Sequence, residues 1–341
     1  MEMTCGPDRG EASLKSASVP LLTVTRSGES DLEHAGFACL VDADGKCRWS
    51  LGDPHAMAFF RSSAKPLQAL AMVECGAADA AGLDDADLAI ICGSHPGGTK
   101  QAELVRSLLA KSGLGPESLG CGEGLADQCS GKHAGMLTAC AHLRLPLHDY
   151  LAPDHPWQQR MFSTLCRYCA VNAQDTRQAL DGCSAPTFSL PLYNMALGFA
   201  RLARDAVSPG PAARLLRAMA VHPGVHTGEP DLRPFRLAKT SVETGTGSAA
   251  PRSSLAGTLG AELITKGGAN GLLCAALPGL GLGFALKVVD GSPLPLWPVF
   301  TRALEQAGLI DAGTVKAMRA ALWPRIETRR GVEAGGLLLQ F

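Results

Sequence analysis

Arg61-Ser62-Ser63-Ala64-Lys65-Pro66-Leu67-Gln68-Ala69-Leu70 reads RSSAKPLQAL, and two interpretations compete for it. Apolar Leu67, Leu70, Ala71 and Val73 keep roughly helical spacing, and Gly76 ends the run. A helix starting near Ser63 places Ser62 and Lys65 three residues apart on one face, where hydroxyl and amine can meet. A serine hydroxyl is a poor nucleophile alone. A lysine whose pKa is lowered by burial or by other cations can take its proton. The competing interpretation is a helix start with a serine cap and a solvated lysine. Spacing alone leaves both open.

A second signal lies about 200 residues downstream, where Thr265-Lys266-Gly267-Gly268 opens a strand-like run. Ser-x-x-Lys followed much later by a strand-borne Lys and Gly is the order found in penicillin-binding proteins and class A β-lactamases. A strand lysine beside the nucleophile would raise the local positive potential and depress the pKa of Lys65.

The layout around these signals is strands, then helices, then strands. LLTVTRSG, HAGFACLV and KCRWSLGD read as strands, with an Asp44-Gly45 turn between the last two. Helices follow in DDADLAII, after Thr99, after Ser130, after Pro156 and in PLYNMALGFARLA. Residues 205–260 read as loop. Strands return over Ala261–Ala276 and Leu280–Val289, then a helix over Pro298–Gln306, and GGLLLQF closes the chain as a strand. The expected fold is α+β: one antiparallel sheet built from both chain ends, with an inserted helical block. Residues 1–19 read as a flexible tail and 20–341 as one catalytic unit.

Composition narrows the function. Among 341 residues, 46% are hydrophobic and 18% charged, which builds a core and argues against wholesale disorder. The formal net charge of −1 supplies no basic excess to hold nucleic acid or an anionic membrane. Gly267 to Leu286 carries no charge over a length that would span a bilayer. Its glycines and Pro278-Gly279 fit two buried strands around a turn better than a membrane helix. No apolar h-region opens the chain, so the expected location is the cytoplasm, where the 12 cysteines stay reduced.

Cys129-Ser130-Gly131-Lys132-His133 sets a thiol, a hydroxyl, an amine and an imidazole at one helix start, and Asp181-Gly182-Cys183 lies further on. Two thiolates and a nitrogen suit Zn²⁺ with an open fourth position. Buried cysteines beside a surface lysine are the bland alternative, and lysine is a rare metal ligand. Cys166 and Cys169 sit within a helix without a second pair and read as packing residues.

RSSAKPLQAL, ICGSH, CSGKHAGML and DGCSAPTFSLPLYNMALGFARLA together resemble the L-asparaginase II family of the Rhizobium etli type. The resemblance runs from Leu21 to Ala203 and resumes from Lys266 to the C-terminus. It implies a serine β-lactamase/glutaminase-like fold, a homodimer, and hydrolysis of L-asparagine to L-aspartate and ammonia. It places two Ser–Lys pairs on Ser62–Lys65 and Ser94–Lys266, and zinc ligands on Cys129, Lys132 and Cys183. Asp181 takes a supporting role beside the metal, holding Lys132 or a water. Arg61 becomes a candidate for the substrate carboxylate, with His95 and His133 orienting the site. Two departures stand out. Asp127-Gln128 replaces the family's asparagines before Cys129, and the stretch after His222-Pro223 lacks the usual pattern. A glutaminase or another Ser–Lys amidase, and a zinc scaffold without catalysis, are the rival expectations.

Overall fold

The computed structural model describes residues 14–225, 232, 234 and 263–341. The first 13 residues of the expected tail, and nearly all of the 224–260 loop, lie outside them. Residues 14–18, grouped with the tail from sequence, carry a helical turn, α1 (Leu14–Ala17), whose Ala17 is buried.

Among the described residues, seven strands form one antiparallel sheet from both ends of the chain, as expected. These are β1 (Val19–Arg26), β2 (Glu29–Asp42), β3 (Cys47–Leu51), β7 (Ile264–Gly268), β8 (Leu272–Leu277), β9 (Leu282–Val288) and β10 (Gly335–Leu339). Their order is β10-β1-β2-β9-β8-β7, with β3 also paired to β2. The central strands read as continuous apolar runs because both faces are covered. Along β2, Phe37, Cys39 and Val41 join the core shared with the helical block, while Ala38 and Leu40 join a second core with Val299, Phe300 and Leu304. That period of two is the strand geometry expressed as burial.

The uncharged run from Gly267 is thus mostly the β8–β9 hairpin, turned by a 3₁₀ segment at Pro278–Leu280. No helix among the described residues is long and apolar enough to cross a membrane. The single strand expected over Ala261–Ala276 is corrected to two, β7 and β8. Between them Asn270 and Gly271 take φ of 62° and 70°, a left-handed pair that glycine adopts at little cost.

The inserted block holds α2 (Lys65–Glu74), α3 (Ala77–Ala80), α4 (Asp85–Cys92), α5 (Thr99–Lys111), α6 (Ser130–His142), α7 (Pro156–Cys169), α8 (Leu192–Asp205) and α9 (Pro211–Val221). The last of these corrects the loop read over 205–260. Pro211 starts a helix whose Ala212, Leu215, Leu216 and Met219 are buried. The polar flanks had masked that short periodic run. The helix Ala312–Leu322 and a small sheet, β4 (Met57–Phe59), β5 (Arg177–Leu180) and β6 (Pro186–Pro191) in the order β4-β6-β5, also went unread in the sequence. Cys169 is buried in α7 and Cys166 is partly buried there, consistent with packing roles.

Two close contacts position the site. A 3₁₀ turn, Arg61–Ala64, leads into α2 and docks on β7, where the buried Ser63 hydroxyl donates to the Lys266 carbonyl at 2.8 Å. On the far side α6 packs against α4. A Cβ at Gly131 would sit 2.3 Å from the Ile90 carbonyl, so only glycine permits that approach.

Candidate active site

Lys65 is the centre of the site. Its side chain is 1% exposed, and three segments converge on its amine. Nζ donates to the Gly93 carbonyl at 2.5 Å, lies 3.0 Å from Ser94 Oγ, and reaches the Gln128 carbonyl at 3.4 Å. Gly93 and Ser94 follow α4, and Gln128 precedes α6. Burial pushes Lys65 down to about 8, helped by the positive charges of Lys266 and Lys132 and opposed by Cys129. At neutral pH an appreciable fraction is therefore uncharged. In that state two N–H bonds satisfy the two carbonyls and the lone pair faces the Ser94 hydroxyl.

The Ser94 contact differs from the pairing implied by the family resemblance. Lys65 meets Ser94, and Ser62 makes no side-chain hydrogen bond among the described residues. Ser62 follows Arg61, a non-glycine residue at φ 47°, so the chain is strained just where it turns the Ser62 hydroxyl to the cavity. Lys266 is buried on β7 and donates to the Gly267 carbonyl at 2.7 Å.

Cys129 stands at the N-terminus of α6, its N–H held by Asp127 Oδ1 at 2.7 Å. Lys132 follows three residues later, on the same face. Cys183 arrives from the turn between β5 and β6, which is closed by Asp181 N–H to the Ala185 carbonyl and Ser184 N–H to the Asp181 carbonyl. Lys132 Nζ lies 3.1 Å from Cys183 Sγ. The two sulfurs hydrogen-bond each other. The bond from Cys183, with Lys65 and Lys132 nearby, drives Cys129 well down toward thiolate, while the same bond and burial push Cys183 up. Burial would lower Lys132, but Cys183, Cys129 and Asp181 hold it above the ordinary lysine value.

Asp181 contacts Arg61, with Nε 2.8 Å from Oδ1 and both side chains largely buried. Its first partner is thus the guanidinium proposed for the substrate, not Lys132. His95 accepts from Gly97 N–H on Nδ1 at 3.2 Å, which leaves the proton on Nε2 to donate to Ser130 Oγ at 2.9 Å. Burial and Lys65 lower His95 to about 4, so it stays neutral. His133 lies beneath the cavity lining. Its Nδ1 meets the Tyr150 hydroxyl at 2.7 Å, and that hydroxyl accepts from Gly120 N–H at 2.7 Å.

One cavity of about 680 Å³ unites the site. Arg61, Ser62, Ser94, His95, Cys129, Asp181, Cys183 and Lys266 line it, with Lys65, Lys132 and His133 buried behind. Asp127, Gln128 and Ser130 are structural partners that motif reasoning did not assign. The first two were visible only as a departure from the family pattern, and Tyr150 carried no sequence signal at all. The L-asparaginase II family model matches residues 22–234 and 235–338, nearly the whole chain.

The chain belongs to the L-asparaginase II family.

Membership in the L-asparaginase II family makes amide hydrolysis the class of reaction. No curated protein matches the sequence. Among solved structures, a β-lactamase from Mycobacterium bovis aligns at 15% identity over 80% of this chain and 95% of that one, with a TM-score of 0.41. SurE bound to D-Leu aligns at 18% identity over 86% and 72%, with a TM-score of 0.36. The assignment rests on the family match and not on these superpositions.

Proposed function

We propose that this L-asparaginase II family member hydrolyses the side-chain amide of L-asparagine through a serine ester. The observation that carries this reading is the Lys65 amine, buried, depressed to about 8 and hydrogen-bonded to a serine hydroxyl at the cavity. Ser62 is the nucleophile, because it lines the cavity and its hydroxyl has no hydrogen-bond partner among the described residues. Its proton passes through Ser94 to neutral Lys65. Ser62 Oγ attacks the amide carbon to give a tetrahedral intermediate. Lys65 returns the proton to the leaving nitrogen, the C–N bond breaks, and ammonia departs. Water then attacks the β-aspartyl ester, giving L-aspartate and free Ser62. The Lys266 charge keeps Lys65 depressed throughout.

Cys129, Lys132 and Cys183 form the proposed zinc site. Among the described residues no group of three or more His, Cys, Asp or Glu could hold a metal. The donor set is therefore two thiols and an amine, and it fits: the three are buried together, one sulfur is near thiolate, and the amine lies within 3.1 Å of the other. When bound, Zn²⁺ would supply a Lewis-acid centre and fix the positive charge beside the cavity.

Ammonia release from L-asparagine and L-glutamine, measured side by side with bound-metal analysis, tests this reading. Hydrolysis of asparagine well above glutamine is expected. Preference for glutamine would favour the glutaminase reading. Failure on both amides, with stoichiometric zinc, would make the protein a scaffold.

A further inference from the structure

We propose that Asp127 recognises the α-ammonium group of the substrate, an inference that rests on the amino-acid amide reading above. An amino-acid amide brings one ammonium into a cavity surrounded by Arg61, Lys65, Lys132 and Lys266. Cations so arranged repel it unless a carboxylate stands opposite, because charges a few ångströms apart in a partly desolvated site interact far more strongly than in water.

Among the described residues, three carboxylates line the cavity: Glu123, Asp127 and Asp181. Asp181 is engaged by Arg61 at 2.8 Å. Glu123 is exposed, where solvent screens it. Asp127 is 9% exposed and is fixed at two points, its Oδ1 by Cys129 N–H at 2.7 Å and its carbonyl by Ser130 N–H at 2.9 Å. Among the described residues its Oδ2 accepts no hydrogen bond. The charge is therefore rigidly presented with one oxygen uncommitted, as a recognition group requires.

Its position suits the chemistry. Asp127 is bonded to Gln128, whose carbonyl accepts from the Lys65 amine at 3.4 Å. A carboxylate so near the Ser–Lys unit matches a substrate in which two carbons separate the ammonium nitrogen from the reacting amide carbon. An amide without an ammonium group gains nothing from it.

Asp127→Asn removes the charge and keeps the oxygen that holds Cys129 N–H. Kinetics would be measured on L-asparagine and on succinamate, the same carbon chain without the ammonium. The expected result is a KM for L-asparagine at least ten-fold higher with kcat within about three-fold, and an asparagine-over-succinamate preference reduced at least ten-fold. If the wild type does not turn over succinamate, the KM for asparagine decides. An unchanged KM, or an equal loss on both amides, would overturn the inference and leave Asp127 as a cap on α6. A wild type inactive on both amides would instead sink the amino-acid amide reading, and this inference with it. Asp127→Ser also keeps an oxygen acceptor and repeats the test if the asparagine variant does not fold.

Discussion

Lys65 Nζ lies 3.0 Å from Ser94 Oγ, although the sequence spacing pairs Lys65 with Ser62. Both hydroxyls open on one cavity, and only Ser94 is in contact with the base. This division of labour separates the two serines kinetically. Ser62→Ala should lower kcat by about four orders of magnitude or more, the loss typical of a deleted nucleophile. Ser94→Ala should cost about 10²–10⁴, the range for a proton-transfer group. Steady-state ammonia assays on the two variants check this. Near-normal turnover in Ser62→Ala with none in Ser94→Ala would reverse the roles.

The state of Lys65 sets the pH dependence. A base depressed to about 8 loses its neutral form progressively as the pH falls below that value. Below it kcat/KM should rise about ten-fold per pH unit, and above it level off. Lys266→Met removes one of the charges that depress Lys65, so its profile should move to higher pH. A pH–rate profile of both forms reads the shift directly, and a profile that stays in place would remove Lys266 from this role.

Arg61 and Asp181 are held together by a 2.8 Å ion pair at a strained turn. Asp181→Ala leaves a largely buried guanidinium without its counter-charge. A loss of about 1–3 kcal/mol in unfolding free energy is expected, read from the urea midpoint. The KM for asparagine should rise as well, because Arg61 loses the partner that fixes its orientation.

The thiol–amine cluster predicts metal content. Wild-type protein purified without chelator should carry about one zinc per chain. Cys129→Ser, Cys183→Ser and Lys132→Met should each drop it below about one tenth of that, since each removes one of three ligands. Elemental analysis after gel filtration measures this independently of activity. Full zinc retention in Lys132→Met would exclude lysine from the site.

Gly131 tests the packing that carries α6. An alanine there would drive its Cβ into the Ile90 carbonyl, so Gly131→Ala should destabilise the fold by about 1–3 kcal/mol. Thermal or urea unfolding gives the number. A neutral substitution would mean that α4 and α6 separate easily.

Much of this was legible in the residues. Strand–helix–strand order, the Asp44-Gly45 and Pro278-Gly279 turns, and the spacing of Cys129 and Lys132 are local properties, written in periodicity and turn chemistry. The misses have local causes too. Asn270-Gly271 was a hairpin signal inside a run read as one strand. The short amphipathic stretch of α9 was overshadowed by its polar flanks. The helical repeat of about 3.6 residues says nothing about which distant segment arrives opposite.

The sequence by itself determined the α+β layout, the family, and the residue types available for chemistry. Only the tertiary structure decided how they pair. It set Lys65 on Ser94 rather than Ser62, Asp181 on Arg61 rather than Lys132, and His133 on Tyr150 rather than the cavity. The reason is physical. Periodicity and turn preference act over a few neighbouring residues, whereas a buried amine takes the partners that three converging segments bring within about 3 Å of it.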